Sequence, residues 1–326
     1  MKQMHGKSQT RNVRVVLALL LLTASILLAG SVVITSQTQR APQTPVNAPP
    51  QSTATRAVAP SEAKRETLAA KSLGGAALPY RVLLPSDYAT SSRRYPVLYL
   101  LHGLTGNEND WWTLSNLAQY AARYHLIIVT PGVGDSWYAN SATDPDARYE
   151  DAIILDLIPH VDSRYRTMAA REGRAIAGLS MGGLGAMKFA LRYPHLFAFA
   201  ASFSGAFDVP LTARLGKKPS ARMLGELQRV FGDKKSRTRR DNDLFALLRQ
   251  PTPEGTSFPY LYVSTGKSDP LPQVSSSNPR FAEALRANKL EFEYNERPGT
   301  HDWRFWDEEI KLMLGRMCVL MRQICT

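Results

Sequence analysis

The stretch Ala175-Ile176-Ala177-Gly178-Leu179-Ser180-Met181-Gly182-Gly183-Leu184-Gly185 limits what this 326-residue chain can fold into more than any other. Small apolar residues run up to Gly178 as the end of a buried strand does, and Leu184 to Leu191 reads as a helix. Between them stands Gly-x-Ser-x-Gly. A strand that turns sharply into a helix strains the backbone of the apex serine, and glycine is needed at 178 and 182, where a Cβ would collide with the neighbouring strand and helix. The turn holds the Ser180 hydroxyl clear of the sheet. It also aims the backbone N–H of Met181, at the helix N-terminus, at the place a carbonyl oxygen would occupy. Alone, the pattern fits a glycine-rich turn with an incidental serine equally well. The decision rests on whether the chain supplies a base, an acid and a second amide donor.

The surrounding sequence alternates strand and helix. Thr67–Ser72 and Ala77–Leu84 read as an early antiparallel pair. Val97–Leu101, Leu126–Thr130, Arg174–Gly178, Phe199–Ser204 and Tyr260–Thr265 are short apolar runs of the kind buried on both faces of a sheet. Helical spacing is found around Trp111–Tyr124, Tyr149–Tyr165 and Asn278–Asn288, and from Trp303 to about Arg322; Leu290–Tyr294 reads as a strand. This order predicts an α/β architecture, a mostly parallel central sheet with helices on both faces. The segment Ala206–Phe258, between two core strands, is long for a connection and holds helix-like pieces at Ala221–Phe231 and Asp241–Leu248. Insertions of that size tend to be lids or substrate-binding elements.

In this architecture the chain order is nucleophile, acid, histidine. Of six histidines, only His301 follows the last core strand, in Pro298-Gly299-Thr300-His301-Asp302-Trp303, and it is the candidate base. Asp269, after Tyr260–Thr265, is the candidate acid; Asp208, one strand earlier, is its rival, and the order favours Asp269. Asp302 adjoins His301 too closely to orient its ring and is expected to cap the last helix. The loop Leu101-His102-Gly103-Leu104-Thr105-Gly106 follows an early strand. Gly103 allows close backbone approach there, and the N–H of Leu104 is the candidate partner of Met181 in an oxyanion hole, with His102 structural.

The net charge of +12 suggests nucleic acid until it is located. Residues 1–60 hold six basic residues and no acid, and the other +6 is spread over 266 residues, so no nucleic-acid partner is expected. Val15–Ile34 is an uncharged run of 20 residues preceded by Lys2, Lys7, Arg11 and Arg14. That is the length of a membrane-spanning helix rather than of an ordinary signal core of about 7–15 residues. Residues 1–35 are therefore expected to be a signal anchor or signal peptide, 36–64 a flexible Pro/Gln/Thr-rich linker and 65–326 the folded domain. The chain is then periplasmic or extracellular, and held to the membrane by residues 15–34 if they are not cleaved. Cys318 and Cys325 fall in the apparent closing helix, where seven residues set their Cα atoms about 10 Å apart, too far for a disulfide; free or structural thiols are expected. Asp144, Asp146, Glu150 and Asp151 have no histidine beside them and read as a loop and helix start. No metal or cofactor is expected. The run Lys234–Arg240 reads as a solvated face.

Leu101-His102-Gly103 with Asn107-Glu108-Asn109-Asp110-Trp111, the elbow Gly178–Gly183, and Gly299-Thr300-His301-Asp302-Trp303 with Trp306 together resemble the putative-esterase family of the α/β-hydrolases. That family includes tributyrin esterases, feruloyl esterases, S-formylglutathione hydrolases and the secreted mycolyltransferases. The resemblance runs from about residue 65 to the C-terminus. It implies a Ser180–Asp269–His301 triad and an ester substrate, either small or linked to a polysaccharide. It also implies that the loop Gly134–Asn140 borders the active site, which makes Trp137 and Tyr138 candidates for the substrate pocket. An acyltransferase of the mycolyltransferase type, or a non-catalytic envelope-binding protein, are the alternatives.

Overall fold

The computed structural model describes residues 62–325 except 213–215 and 217. The expected N-terminal segment 1–35 and nearly all of the linker lie outside the described residues, and among the described residues no helix is long and apolar enough to cross a membrane.

Eight strands form one sheet: β1 (Lys64–Ala69), β2 (Ala77–Leu83), β3 (Val97–Leu101), β4 (Ile127–Pro131), β5 (Arg174–Leu179), β6 (Phe199–Phe203), β7 (Tyr260–Gly266) and β8 (Phe292–Arg297). Their spatial order is β1-β2-β4-β3-β5-β6-β7-β8. β1 and β2 pair antiparallel, as does β2 with β4, while β3 to β8 run parallel. The apolar runs of the sequence become the central strands because both faces are covered. Along β3, Val97, Tyr99 and Leu101 point into one core and Leu98 and Leu100 into the other. Four helices matter most for the site: α1 (Met181–Arg192), α2 (Ala221–Phe231), α3 (Ser277–Ala287) and α4 (Trp303–Leu320). α1 and α3 bury Leu184, Met187, Phe281 and Leu285 against one face. α4 buries Ile310, Met313, Leu314 and Met317 against the other.

The insertion between β6 and β7 carries α2, capped by Ser220. The second expected helix is two short ones, Arg237–Asp241 and Leu244–Arg249, broken at Asn242. Within the basic run, Arg239 turns inward. Its guanidinium donates to the carbonyls of Gly232, Asp233 and Pro210 and so staples the insertion to itself.

The two cysteines depart from expectation. α4 ends at Leu320, two residues after Cys318, and the chain folds back through a short 3-10 turn at Arg322–Ile324. The Cα atoms are thereby 5.3 Å apart, and Cys318 and Cys325 form a disulfide. The expectation of separate thiols assumed that the helix continued to about Arg322. The bridge holds a small C-terminal clasp, in which Ile324 is buried and its carbonyl accepts from the His125 amide just before β4.

Candidate active site

Ser180 sits between β5 and α1 with φ 51° and ψ −112°, a conformation that non-glycine residues rarely adopt. Three backbone bonds hold it: its N–H donates to Phe203 O, and its carbonyl accepts from Leu184 and Ala206. The flanking glycines are required by proximity. A Cβ on Gly178 would lie 2.5 Å from the Gly182 carbonyl, and one on Gly182 would lie 2.6 Å from the His102 carbonyl oxygen. α1 therefore begins in direct contact with the end of β3, and Ser180 is held at the carboxyl ends of the parallel strands.

The loops after β7 and β8 converge on it. His301 Nε2 lies 2.9 Å from Ser180 Oγ, and His301 Nδ1 lies 2.7 Å from Asp269 Oδ2. Nδ1–H donating to the carboxylate leaves Nε2 as the acceptor of the serine hydroxyl proton, the tautomer that a general base needs. The other Asp269 oxygen accepts from the Leu271 amide, so the carboxylate is fixed at both ends. The Trp306 ring meets His301 edge to face at 5.0 Å and walls the imidazole on the α4 side. Asp302 caps α4 by accepting from the Phe305 amide. The rival acid, Asp208, is instead paired with Arg280 at 2.9 Å; burial pushes its carboxyl up, against the pull of Arg280.

The loop after β3 lies beside the serine: a Cβ on Gly103 would be 3.7 Å from Ser180 Cβ. Among the described residues, neither the Leu104 nor the Met181 amide donates to a protein acceptor. His102 is buried behind this loop. Its Nδ1 bonds the Gly103 carbonyl at 2.7 Å and its Nε2 accepts from the Val133 amide at 3.1 Å, which describes a neutral ring. Burial pulls its pKa below the usual histidine range.

Trp137 and Tyr138 are placed differently from the other candidates. Both are buried in the core, with Trp137 against Phe231 of α2 and Tyr138 against Gly185 of α1. Neither presents a surface to a substrate. Of the acidic group, Glu150 is buried against Lys188 and Arg192, and Asp151 pairs with Arg148. Lys188 itself escaped sequence reasoning. It lies on the elbow helix with no exposed surface, and its ammonium donates to Tyr138 O at 2.6 Å, Asn242 Oδ1 at 2.7 Å and Glu150 Oε2 at 2.8 Å. The available signal was a lone lysine within the apolar run Leu184–Leu191. Burial pulls its pKa down and Glu150 opposes that, while three acceptors are what a charged ammonium needs.

A serine, a histidine and a carboxylate in hydrogen-bonded series, beside two unengaged amides at a helix N-terminus and a loop, can generate an alkoxide-like nucleophile and hold the oxyanion it creates. Fold and site together define the class: an α/β-hydrolase fold with a serine, a histidine and a carboxylate in series at its strand ends. The chain belongs to the family described as "Putative esterase", whose model matches residues 71–317. Among relatives, the esterase Rv1288 of Mycobacterium tuberculosis is 44% identical over 129 residues, 38% of this chain. The match spans only 28% of that relative's length. An acetyl esterase of Caldicellulosiruptor saccharolyticus is 29% identical over 221 residues, covering 67% of this chain and 82% of the relative. Among solved structures, the serine hydrolase FphF of Staphylococcus aureus superposes with a TM-score of 0.70 at 26% identity, over 79% of this chain and 99% of that one.

Proposed function

We propose that the protein is an exported serine carboxylesterase that cleaves short-chain acyl or aryl (feruloyl-type) esters through an acyl-enzyme on Ser180. The observation that carries this reading is the unbroken hydrogen-bonded series from Ser180 Oγ through His301 to Asp269. His301 Nε2 takes the hydroxyl proton as Ser180 attacks the ester carbonyl, and the amides of Leu104 and Met181 receive the oxyanion. His301 returns the proton to the leaving alcohol. It then activates a water that releases the acid and regenerates Ser180. Asp269 holds the ring in the working tautomer and stabilises the imidazolium.

The acetyl esterase relative supports a short acyl group. Export is supported by the basic flank and uncharged run of residues 2–34, and by the Cys318–Cys325 bridge, a bond that persists in oxidising compartments. The test is turnover of p-nitrophenyl acetate, butyrate and octanoate, and of methyl ferulate, by wild type and Ser180→Ala. Wild-type rates no higher than the mutant's on every ester would overturn the reading. An added alcohol acceptor, with ester product measured against free acid, separates hydrolysis from acyl transfer.

A further inference from the structure

The two candidate oxyanion donors sit on different parts of the fold. Leu104 follows β3, whereas Met181 opens α1. An oxyanion hole works only when its donors lie about 2.7–3.1 Å from one point. The start of α1 meets the end of β3 directly at Gly182, and the loop between Val133 and Tyr138 touches both the β3 loop and α1. It grips the β3 loop through three hydrogen bonds: the Val133 amide to His102 Nε2 at 3.1 Å, the Tyr138 hydroxyl to the His102 carbonyl at 3.1 Å, and Asp135 Oδ1 accepting from the Thr105 amide at 2.7 Å. Its grip on the elbow helix is Lys188, whose ammonium donates to the Tyr138 carbonyl. The Tyr138 ring fills the space left at Gly185, where a Cβ would stand 2.9 Å from it.

Two features indicate that this brace has a job beyond holding the core together. Trp137 and Tyr138 both take left-handed backbone conformations, at φ 56° and 53°. Bulky residues keep such angles only where their surroundings over-determine them, and such strain gathers at functional sites. A fully buried ion pair such as Lys188–Glu150 is also a weak source of net stability, since apolar residues of like volume do as well or better. What an ammonium supplies and a methionine does not is direction.

We propose that Tyr138 and Lys188 are positioning residues that fix the distance between the Leu104 and Met181 amides. Tyr138 reaches across to the His102 carbonyl and Lys188 anchors Tyr138 to the elbow helix. The proposal rests on the esterase reading above. It assigns Tyr138 a place behind the oxyanion hole, in contact with neither substrate nor solvent.

The deciding variant is Tyr138→Phe, which deletes one hydroxyl and keeps the ring. Its kcat, KM, melting temperature and inhibition by a trifluoromethyl ketone are measured on the best ester. The ketone adds to Ser180 and places its own oxyanion in the hole. Loss of a whole oxyanion donor costs about 10²–10³ in kcat, so a displaced one should cost about tenfold in kcat and about tenfold in ketone affinity, with KM near wild type. Tyr80→Phe is the control, because its buried hydroxyl bonds His160 away from the site. Kcat and ketone affinity within twofold of wild type in Tyr138→Phe, whatever its melting temperature, overturn the proposal. The double variant Lys188→Met/Glu150→Gln, which removes both buried charges and leaves Arg192 to solvent, tests the anchor: it is expected to repeat the Tyr138→Phe pattern, and unchanged kcat and ketone affinity remove Lys188 from the proposal. A wild type no faster than Ser180→Ala is a separate result that overturns the esterase reading and this proposal with it.

Discussion

His301 Nε2 stands 2.9 Å from Ser180 Oγ across 121 residues of chain, and the same ring is held from behind by Asp269 at 2.7 Å. Three loops at the carboxyl ends of β5, β7 and β8 make this meeting, and each can be tested separately.

Asp269→Asn keeps the shape of the side chain but disturbs the tautomer of His301. Kcat on p-nitrophenyl acetate is expected to fall by about 10⁴ with KM little changed, by analogy with serine proteases. Asp208→Asn touches Arg280 and not His301, so its kcat should stay within a few-fold of wild type. Equal losses in the two variants would show that the acid has been misassigned.

Glycine matters differently at two neighbouring positions. Gly182→Ala would push a methyl group against the His102 and Leu101 carbonyls, which are backbone and cannot move aside without separating α1 from β3. Its soluble yield and its kcat should both drop, the latter by about 10² or more if the displaced Met181 amide is the oxyanion donor proposed above. Gly103→Ala collides only with the Cδ1 of Leu179, the far end of a flexible side chain, and meets Ser180 Cβ and Leu179 O at ordinary contact distance, so it should fold with a melting temperature close to wild type.

Burial alone would push the Glu150 carboxyl up, but the charges of Lys188 and Arg192, with hydrogen bonds from Lys188 and Tyr193, outweigh it and hold the pKa below the usual value. A pKa lowered by folding adds stability that is present above the unfolded value of about 4.3 and is lost as pH falls through the folded one. Glu150→Gln leaves the buried Lys188 unpaired and should cost about 3–5 kcal/mol at pH 7. The deficit should shrink below about pH 4 as wild type loses the same contribution. Urea unfolding at pH 7, 5 and 3.5 checks this, and a deficit independent of pH would mean that the pair is not ionised.

The Cys318–Cys325 bridge closes an eight-residue loop, for which chain entropy suggests about 2–3 kcal/mol. Replacing both cysteines with alanine, or adding dithiothreitol, should lower the melting temperature. Kcat should be unchanged, because the clasp packs beside the start of β4, at the end of the sheet opposite to Ser180. A parallel loss of activity would place the clasp in communication with the site.

Much of the fold was legible because its signals are local. A parallel strand buried on both faces must be continuously apolar, so β3 to β7 announce themselves as short runs. The elbow is legible for a steric reason, since so sharp a strand-to-helix turn tolerates little but glycine at 178 and 182. The order of Ser180, Asp269 and His301 follows from which strand each residue ends. Tyr138, Lys188 and the cysteines were not legible. An aromatic pair in a loop looks the same whether it lines a pocket or plugs a core, and a lysine gives no sign of which carbonyl it will meet. The helix end that brings Cys325 back to Cys318 depends on Ile324 finding a buried place beside β4.

The sequence by itself determined the class of architecture, the serine at the elbow and the residues able to serve it, because strand burial and the geometry of one tight turn constrain residue type position by position. Only the tertiary structure decided that Asp269 and not Asp208 faces His301, that the Tyr138 hydroxyl reaches the His102 carbonyl after β3, and that Lys188 ties Tyr138 to the elbow helix. Those are questions of distance between segments far apart in the chain. A buried polar atom takes whichever partner the packing of the surrounding elements leaves within about 3 Å.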